Sequence, residues 1–344
     1  YRIGMIQKHK LIPILPTFVK RMIAGKKVTI DGQTLNLNSQ LALKNFYSMI
    51  DDKICNHSPE GARAMLNKIV DSAYSEKEIS DLCDMQDQLL KCNDVTIPIR
   101  IYRPKNNNNK IPTLVYLHGG GFVIGTLKMY DYLCAQYSST CNIQVISVDY
   151  RLAPENKFPI PVTDCLAAYN KLYDLADNFN IDIKKMAVGG DSAGGNLSTV
   201  VASQLIKIDR TPKFQLLIYP IVKEGETPSY ELFKEGFLLE RDDMHWFANH
   251  YVYKDTDRMD PKLSPLYSDN LKQMPATIMV IAGFDPLRDG GFEYADKLKE
   301  CGVEVTMQIY KDQFHGFYHM ANVLPEALDA VKATCKSINI LFDK

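Results

Sequence analysis

Gly190-Asp191-Ser192-Ala193-Gly194 places a serine between two glycines, with an apolar run before it and a helix-like run after it. Flanking glycines let a strand turn sharply into a helix and expose the serine hydroxyl, and the helix N-terminus behind it favours a developing negative charge. The blander reading is a glycine-rich turn in which Ser192 only caps the helix. Upstream, His118-Gly119-Gly120-Gly121-Phe122 follows a short apolar run. Three glycines leave backbone N–H groups uncovered and able to point at an oxyanion. A phosphate cradle fits less well. No P-loop pattern is present, and no Gly-x-Gly-x-x-Gly opens a helix with a ribose-binding acid at the right distance.

A serine nucleophile needs a base, and the base needs an orienting acid. In a nucleophile-elbow protein the chain order is serine, acid, histidine. Of seven histidines, only His315 and His319 lie far enough downstream. His315 follows a predicted strand and a short turn, and Asp285 follows another through Gly283-Phe284. Ser192, Asp285 and His315 therefore each fall just beyond a different strand's carboxyl end. Asp289 is a rival acid, expected instead to cap a helix starting at Gly290 or Gly291. His315 and His319 have the i, i+4 spacing of a zinc pair. Gly316 stands where the glutamate of that motif would be, no third ligand is evident, and a metal is discounted.

These residues need a scaffold that brings strand ends together. Runs at 113–117, 144–149, 185–189, 214–219, 276–282 and 303–310 read as strands. Stretches at 130–140, 164–178, 193–206, 291–301 and 325–341 read as helices. Such alternation predicts an α/β fold with a mostly parallel sheet covered on both faces. Residues 95–102 alternate as a strand, and Pro98 within them suggests a sheet edge. The polar run 106–109 reads as an exposed hairpin loop. Two regions break the alternation: residues 1–85, which look helical, and residues 221–265, which hold Phe233, Phe237, Trp246, Phe247 and Tyr251. Both are expected to form a helical cap over the sheet's carboxyl edge, leaving 86–220 and 266–344 as the core.

Composition excludes several classes. The 344 residues are 46% hydrophobic and 24% charged, with a net charge of −1. That argues against disorder and fibrous structure, and gives no field to hold nucleic acid. No stretch approaches the roughly 18 apolar residues of a membrane span. Eight cysteines are scattered without a Cys-x-x-Cys, which suggests thiols in a reducing compartment and a cytoplasmic protein. The sequence opens on Tyr1 rather than Met, so a leader or anchor ahead of it would not be seen. The first 30 residues carry seven basic side chains and no acid, with Pro13 and Pro16 interrupting an apolar run. An amphipathic helix with its basic side in water is favoured over a weak membrane-surface contact. A homodimer is left open.

The motifs His118–Phe122, Tyr150-Arg151-Leu152-Ala153-Pro154-Glu155, Gly190–Asn196, Asp285-Pro286-Leu287-Arg288-Asp289 and His315-Gly316-Phe317 occur in one order across residues 110–320. In this the chain resembles the hormone-sensitive-lipase-like carboxylesterases, a branch of the α/β-hydrolases. The resemblance implies Ser192 as nucleophile, His315 as base and Asp285 as its orienter. It also implies oxyanion N–H groups from Gly120, Gly121 and Ala193, with Gly119 shaping the turn. Arg151 and Glu155 would support that loop, Asp191 marks the branch with an acid before the serine, and Ala153-Pro154 and Phe158-Pro159 would be cis. Further, it implies no metal or organic cofactor and a small-molecule ester substrate of short to medium acyl length, taken into a capped pocket. Two alternatives remain: an amidase or deacetylase of aryl amides, and a binding protein like the plant gibberellin receptors, which lack the working triad histidine. His315 argues against the second.

Overall fold

In the computed structural model, which describes residues 15–344 other than 93 and 108, the apolar runs become strands. A small hairpin pairs β1 (Thr29–Ile30) with β2 (Gln33–Thr34). The remaining strands are β3 (Asp84–Cys92), β4 (Val95–Arg103), β5 (Ile111–Leu117), β6 (Gln144–Val148), β7 (Ile181–Asp191), β8 (Gln215–Ile218), β9 (Thr277–Phe284) and β10 (Val305–Phe314). They form one eight-stranded sheet in the order β10-β9-β8-β7-β5-β6-β4-β3. β5 to β10 are mutually parallel, whereas β4 pairs antiparallel with both β6 and the edge strand β3. β6, β8 and β9 are buried along their whole length, and β7 is buried from Met186 to Asp191. A sheet covered on both faces requires such unbroken apolar runs.

Helices cover the two faces. α1 (Thr17–Ala24), α2 (Leu37–Met49), α3 (Pro59–Ala73) and α4 (Glu76–Leu82) precede β3. They are followed by α5 (Leu127–Cys141), α6 (Ile160–Asp174), α7 (Ala193–Ile206), α8 (Pro228–Leu232), α9 (Arg241–Tyr251), α10 (Arg288–Glu300) and α11 (Pro325–Asp343). One core layer packs Tyr169 of α6, Val200 of α7 and Leu298 of α10 against Val115, Val188 and Met279. The other packs Tyr137 of α5 and Val331 of α11 against Tyr116, Leu216 and Val280. Caps set several starts. Asn36 accepts from the Asn38 and Ser39 N–H groups, and Ser75 and Glu78 close a capping box. Thr126 accepts from Met129 N and starts α5 three residues ahead of its predicted beginning. No described helix is long and apolar enough to cross a membrane.

Four local expectations are corrected. Residues 84 and 85, counted with the helical region, instead open a strand that runs to Cys92, ahead of the first expected strand, because hairpin pairing with β4 takes them into the sheet. That strand is the edge, so residues 95–102 lie one place inside it. Pro98 is tolerated there because the ladder to β6 begins at Ile99, and Pro98 contributes only its carbonyl, which accepts from Asp149 N at 3.0 Å. The polar run at 106–109 does not close a hairpin, since β6 lies between β4 and β5. Finally, α10 begins at Arg288. Asp289 therefore lies inside its first turn and accepts from Ser229 N at 2.8 Å instead of capping the helix. The peptide bonds Ala153-Pro154 and Phe158-Pro159 are both cis.

Candidate active site

Strand order runs opposite ways on the two sides of β5, since β6 lies on one side and β7 on the other. Open α/β sheets form their crevice at such a switch, beyond the carboxyl ends of the strands. The His118–Phe122 loop leaves β5 at this point, and Ser192 leaves the adjacent β7. Ser192 is held at φ 52° and ψ −118° between β7 and α7, and its side chain makes no capping bond. The helix-cap reading is thereby excluded. Its backbone N–H donates to Ile218 O at 2.8 Å, which ties the turn to β8. A β-carbon at Gly190 would overlap the Leu117 carbonyl, so this turn demands glycine there.

β9 ends at Phe284 and presents Asp285, which is fully buried. β10 ends at Phe314 and presents His315, whose N–H donates to Phe284 O at 3.3 Å. The three predicted side chains meet in one line. His315 Nε2 lies 3.1 Å from Ser192 Oγ, and His315 Nδ1 lies 2.8 Å from Asp285 Oδ2. With Nδ1–H donating to the carboxylate, Nε2 is left as the acceptor for the serine hydroxyl. The other oxygen, Asp285 Oδ1, accepts from Leu287 N at 2.7 Å. Tyr219 packs against the imidazole with ring centres 4.6 Å apart. Such an arrangement can move a proton from Ser192 to His315 and stabilise the imidazolium that results.

The glycine loop is held by its carbonyls. His118 Nδ1 donates to Gly119 O at 2.8 Å, and Tyr150 OH donates to His118 O at 2.7 Å. Val123 and Ile124 N–H groups donate to Gly120 O at 3.1 and 2.9 Å, and Ala153 N donates to Phe122 O at 2.9 Å. Burial pushes the His118 ring below the ordinary histidine range, which keeps it neutral in this role. Gly120 and Gly121 have φ of 105° and 58°. Both line the cavity in front of Ser192, and Ala193 starts α7 directly behind it.

Asp191 is buried beneath this loop. It accepts from Tyr116 OH at 2.8 Å, from Gly119 N at 3.1 Å and from His319 Nε2 at 2.9 Å. Burial pushes its carboxyl up, but His319 and Tyr116 outweigh that and leave it below the usual carboxylate range. Glu155 binds Arg63 of α3 at 2.7 and 2.8 Å. Arg63 in turn donates to Val123 O at 2.8 Å and Ala153 O at 2.7 Å. Arg151 instead binds Asp164 at 2.7 and 2.8 Å. Glu155 thus reaches the loop through Arg63, whereas Arg151 braces α6.

Three contributors were not legible beforehand. Arg63 sits in a stretch without a motif. His319 stands in the sequence as a candidate base or metal ligand, yet its Nε2 is used by Asp191. Among the described residues no group of three metal-ligating side chains comes together. Phe247 was one of many aromatics, but it is the one whose ring lies against Gly121. Phe233 and Phe237 turn into the core against Phe284, and Tyr251 stacks on Phe122 with ring centres 3.8 Å apart.

Above Ser192 lies a cavity of about 300 Å³. Phe46, Leu66 and Ile69 line it from the N-terminal helices, and Leu238, Leu239 and Phe247 from the stretch around α9. The two segments are tied together across it. Tyr47 OH donates to Glu240 at 3.1 Å, Cys55 N to Asp243 at 3.0 Å and Trp246 Nε1 to His57 O at 3.2 Å.

Comparison with known proteins shows the fold and the family. A family model described as alpha/beta hydrolase fold matches residues 114–319. A carboxylic ester hydrolase of Mycobacterium tuberculosis is 37% identical over 321 residues, covering 90% of this chain and 84% of that protein. An ethyl acetate hydrolase of Pseudomonas putida is 37% identical over 237 residues, covering 67% of this chain and 74% of that protein. An ester hydrolase from the metagenome of Lake Arreo, solved with a derivative of bipyridine phosphonate, superposes with a TM-score of 0.85 at 34% identity. It covers 90% of this chain and 100% of its own. The chain belongs to the hormone-sensitive-lipase-like carboxylesterases, a family of ester hydrolases on the α/β-hydrolase fold.

Proposed function

We propose that this chain is a serine carboxylesterase that hydrolyses short- to medium-chain acyl esters through an acyl-enzyme. Ser192 is the nucleophile, His315 the base and Asp285 its orienter, with oxyanion donors at Gly120, Gly121 and Ala193. The observation that carries the reading is the hydrogen-bonded line Ser192–His315–Asp285, at 3.1 and 2.8 Å, opening into an apolar cavity. His315 takes the Ser192 proton as Oγ attacks the ester carbonyl, and the N–H groups hold the negative oxygen. Collapse of the intermediate expels the alcohol, to which His315 returns the proton. Water then attacks the acyl-enzyme by the same route, releasing the acid and restoring Ser192. The residues present complete this cycle without a metal or organic cofactor.

The segments 1–85 and 221–265 act as the cap over a core of 86–220 and 266–344, the described part of the cap being built mainly from α1 to α4, α8 and α9. The ties between Tyr47 and Glu240 and between Cys55 and Asp243 support that division. Eight unpaired thiols support a reducing, cytoplasmic setting. Exposed Phe18 and Met22 on α1 support a weak membrane-surface contact at the N-terminal end.

The test is Ser192→Ala on p-nitrophenyl esters, with an organophosphate added to the parent. Turnover should fall by roughly 10⁴-fold or more, and the parent should gain one phosphoryl adduct, at Ser192. More than a tenth of activity left in the mutant overturns the assignment. Across acyl lengths each CH₂ that fits should raise efficiency by up to about fourfold, equivalent to about 0.8 kcal/mol. Efficiency should peak at roughly four to eight carbons and fall beyond about ten. Steady hydrolysis of long-chain triglyceride emulsions would instead mark a lipase.

A further inference from the structure

The turn that carries the proposed base carries a second histidine with a different partner. After His315 the chain forms a short 3-10 helix, Phe317–Met320, in which His319 N donates to Gly316 O at 3.1 Å. This places His319 Nε2 2.9 Å from Asp191 Oδ2. The same carboxylate uses its other oxygen, Oδ1, to accept from Gly119 N at 3.1 Å. Gly119 immediately precedes Gly120 and Gly121, which line the cavity and are the proposed oxyanion donors. Edge-on contact with Tyr130, at 4.7 Å between ring centres, holds the His319 ring in place.

We propose that His319 is a positioning residue: by donating to Asp191 it fixes the carboxylate that pins Gly119, and so sets where the Gly120 and Gly121 N–H groups point. The inference rests on the serine-esterase reading of the site. A fully buried carboxylate with four acceptor positions turns toward whichever donors remain. Tyr116 OH and Gly119 N both converge on Oδ1. Tyr130 OH is 3.5 Å from Oδ2, too far for a strong bond, so His319 is the close partner on that side. Without it Oδ2 is left desolvated in the protein interior, and the carboxylate relieves this by turning toward the Tyr130 hydroxyl and away from Gly119. The oxyanion donors follow Gly119 by one and two residues, so a rotation there moves them directly. One short turn thereby couples the base to the oxyanion loop.

The test compares His319→Leu, which fills the space without a donor, with His319→Gln, whose amide Nε2 can take the place of the ring nitrogen. Each folded enzyme is assayed on p-nitrophenyl butyrate and titrated with a trifluoromethyl ketone, a mimic of the tetrahedral intermediate. His319→Leu should lower kcat by roughly 10- to 100-fold with KM changed less than about threefold, and affinity for the ketone should fall in parallel. His319→Gln should stay within about fivefold of the parent in both. The proposal is overturned if His319→Leu keeps kcat within threefold, or if the loss appears in KM alone. It is also overturned if His319→Gln is as impaired as His319→Leu while folded. Should His319→Leu fail to fold, His319→Gln against His319→Asn, whose shorter amide cannot reach Asp191, gives the same comparison. An inactive parent enzyme would strike the esterase reading instead, so the two failures are distinguishable.

Discussion

Gly121 offers a test in which a steric and an electrostatic effect can be separated. Its φ of 58° is one that an alanine adopts only at a cost of about 1–2 kcal/mol. A β-carbon there would also stand within 3.0 Å of three ring atoms of Phe247, against an ordinary separation of 3.4–4 Å. Either the ring withdraws or the loop does. Overpacking of this kind costs roughly 1–3 kcal/mol when side chains yield. If the loop yields, the Gly121 N–H leaves its proposed oxyanion position, and loss of one donor costs on the order of 10²–10³ in turnover. Alanine keeps the N–H, so any loss comes from displacement alone. We expect Gly121→Ala to lower kcat by about 10²-fold. Phe247→Ala should weaken KM through the lost cavity wall. The double variant should recover kcat to within about tenfold of Phe247→Ala, which corresponds to a coupling of at least about 1.4 kcal/mol. The assay is steady-state hydrolysis of p-nitrophenyl butyrate by all four enzymes, with melting curves to show that each is folded. Strictly additive losses would refute the reasoning, because they would mean that the Phe247 ring does not decide where the loop sits.

Asp191 should leave a signature in acid. Its carboxyl lies below the usual range in the folded protein, so the stability it contributes is fully present above about pH 4 and is lost as pH falls through the depressed native value. The gap in urea stability between the parent and Asp191→Asn should therefore narrow below about pH 4, and a gap constant down to pH 3 would contradict this. Arg63→Ala removes two donors to loop carbonyls and leaves Glu155 unpaired. With Glu155 half exposed, the unfolding free energy should drop by only about 1–2 kcal/mol, while kcat falls more than KM rises. Equal activity in Arg63→Ala would show that the loop is held without it. Asp285→Asn should keep the fold but reduce kcat by about 10⁴-fold by favouring the wrong imidazole tautomer, and a loss under tenfold would point to another acid.

How much could be read beforehand varied with how local the physics was. Central strands such as β9 are buried on both faces, so they appear as unbroken apolar runs and were legible. Edge strand β3 was not: its burial pattern is mostly exposed, and only pairing with β4 makes it a strand. Pro98 misled for a related reason. Proline marks a missing donor but does not say which side of the strand that donor would have faced. Asp289 looked like a cap because an acid before two glycines suits one, yet Asp285 accepts from the N–H groups of Leu287 and Arg288 where α10 starts, and Asp289 was taken by Ser229.

At the site, sequence alone determined the residue types and the strand ends that carry them. Ser192, Asp285 and His315 could be picked out because chain order and strand-end position are one-dimensional properties. The glycines around Ser192 belong to the same category, since a close approach of backbone leaves room for no other residue. Only the tertiary structure decided that β7, β9 and β10 lie near enough, in the right register, for these side chains to meet at 3.1 and 2.8 Å. The structure also decided which acid serves which histidine, drawing Asp285 to His315 and Asp191 to His319. It brought Arg63 of α3 under a loop some 60 residues away, and set Phe247, of all the aromatics around α9, against Gly121. A hydrogen-bond partner or a cavity wall depends on through-space distance and on which donors compete for each buried oxygen. Neither is encoded in the spacing of residues along the chain, so each becomes definite only once the sheet and its covering helices have packed.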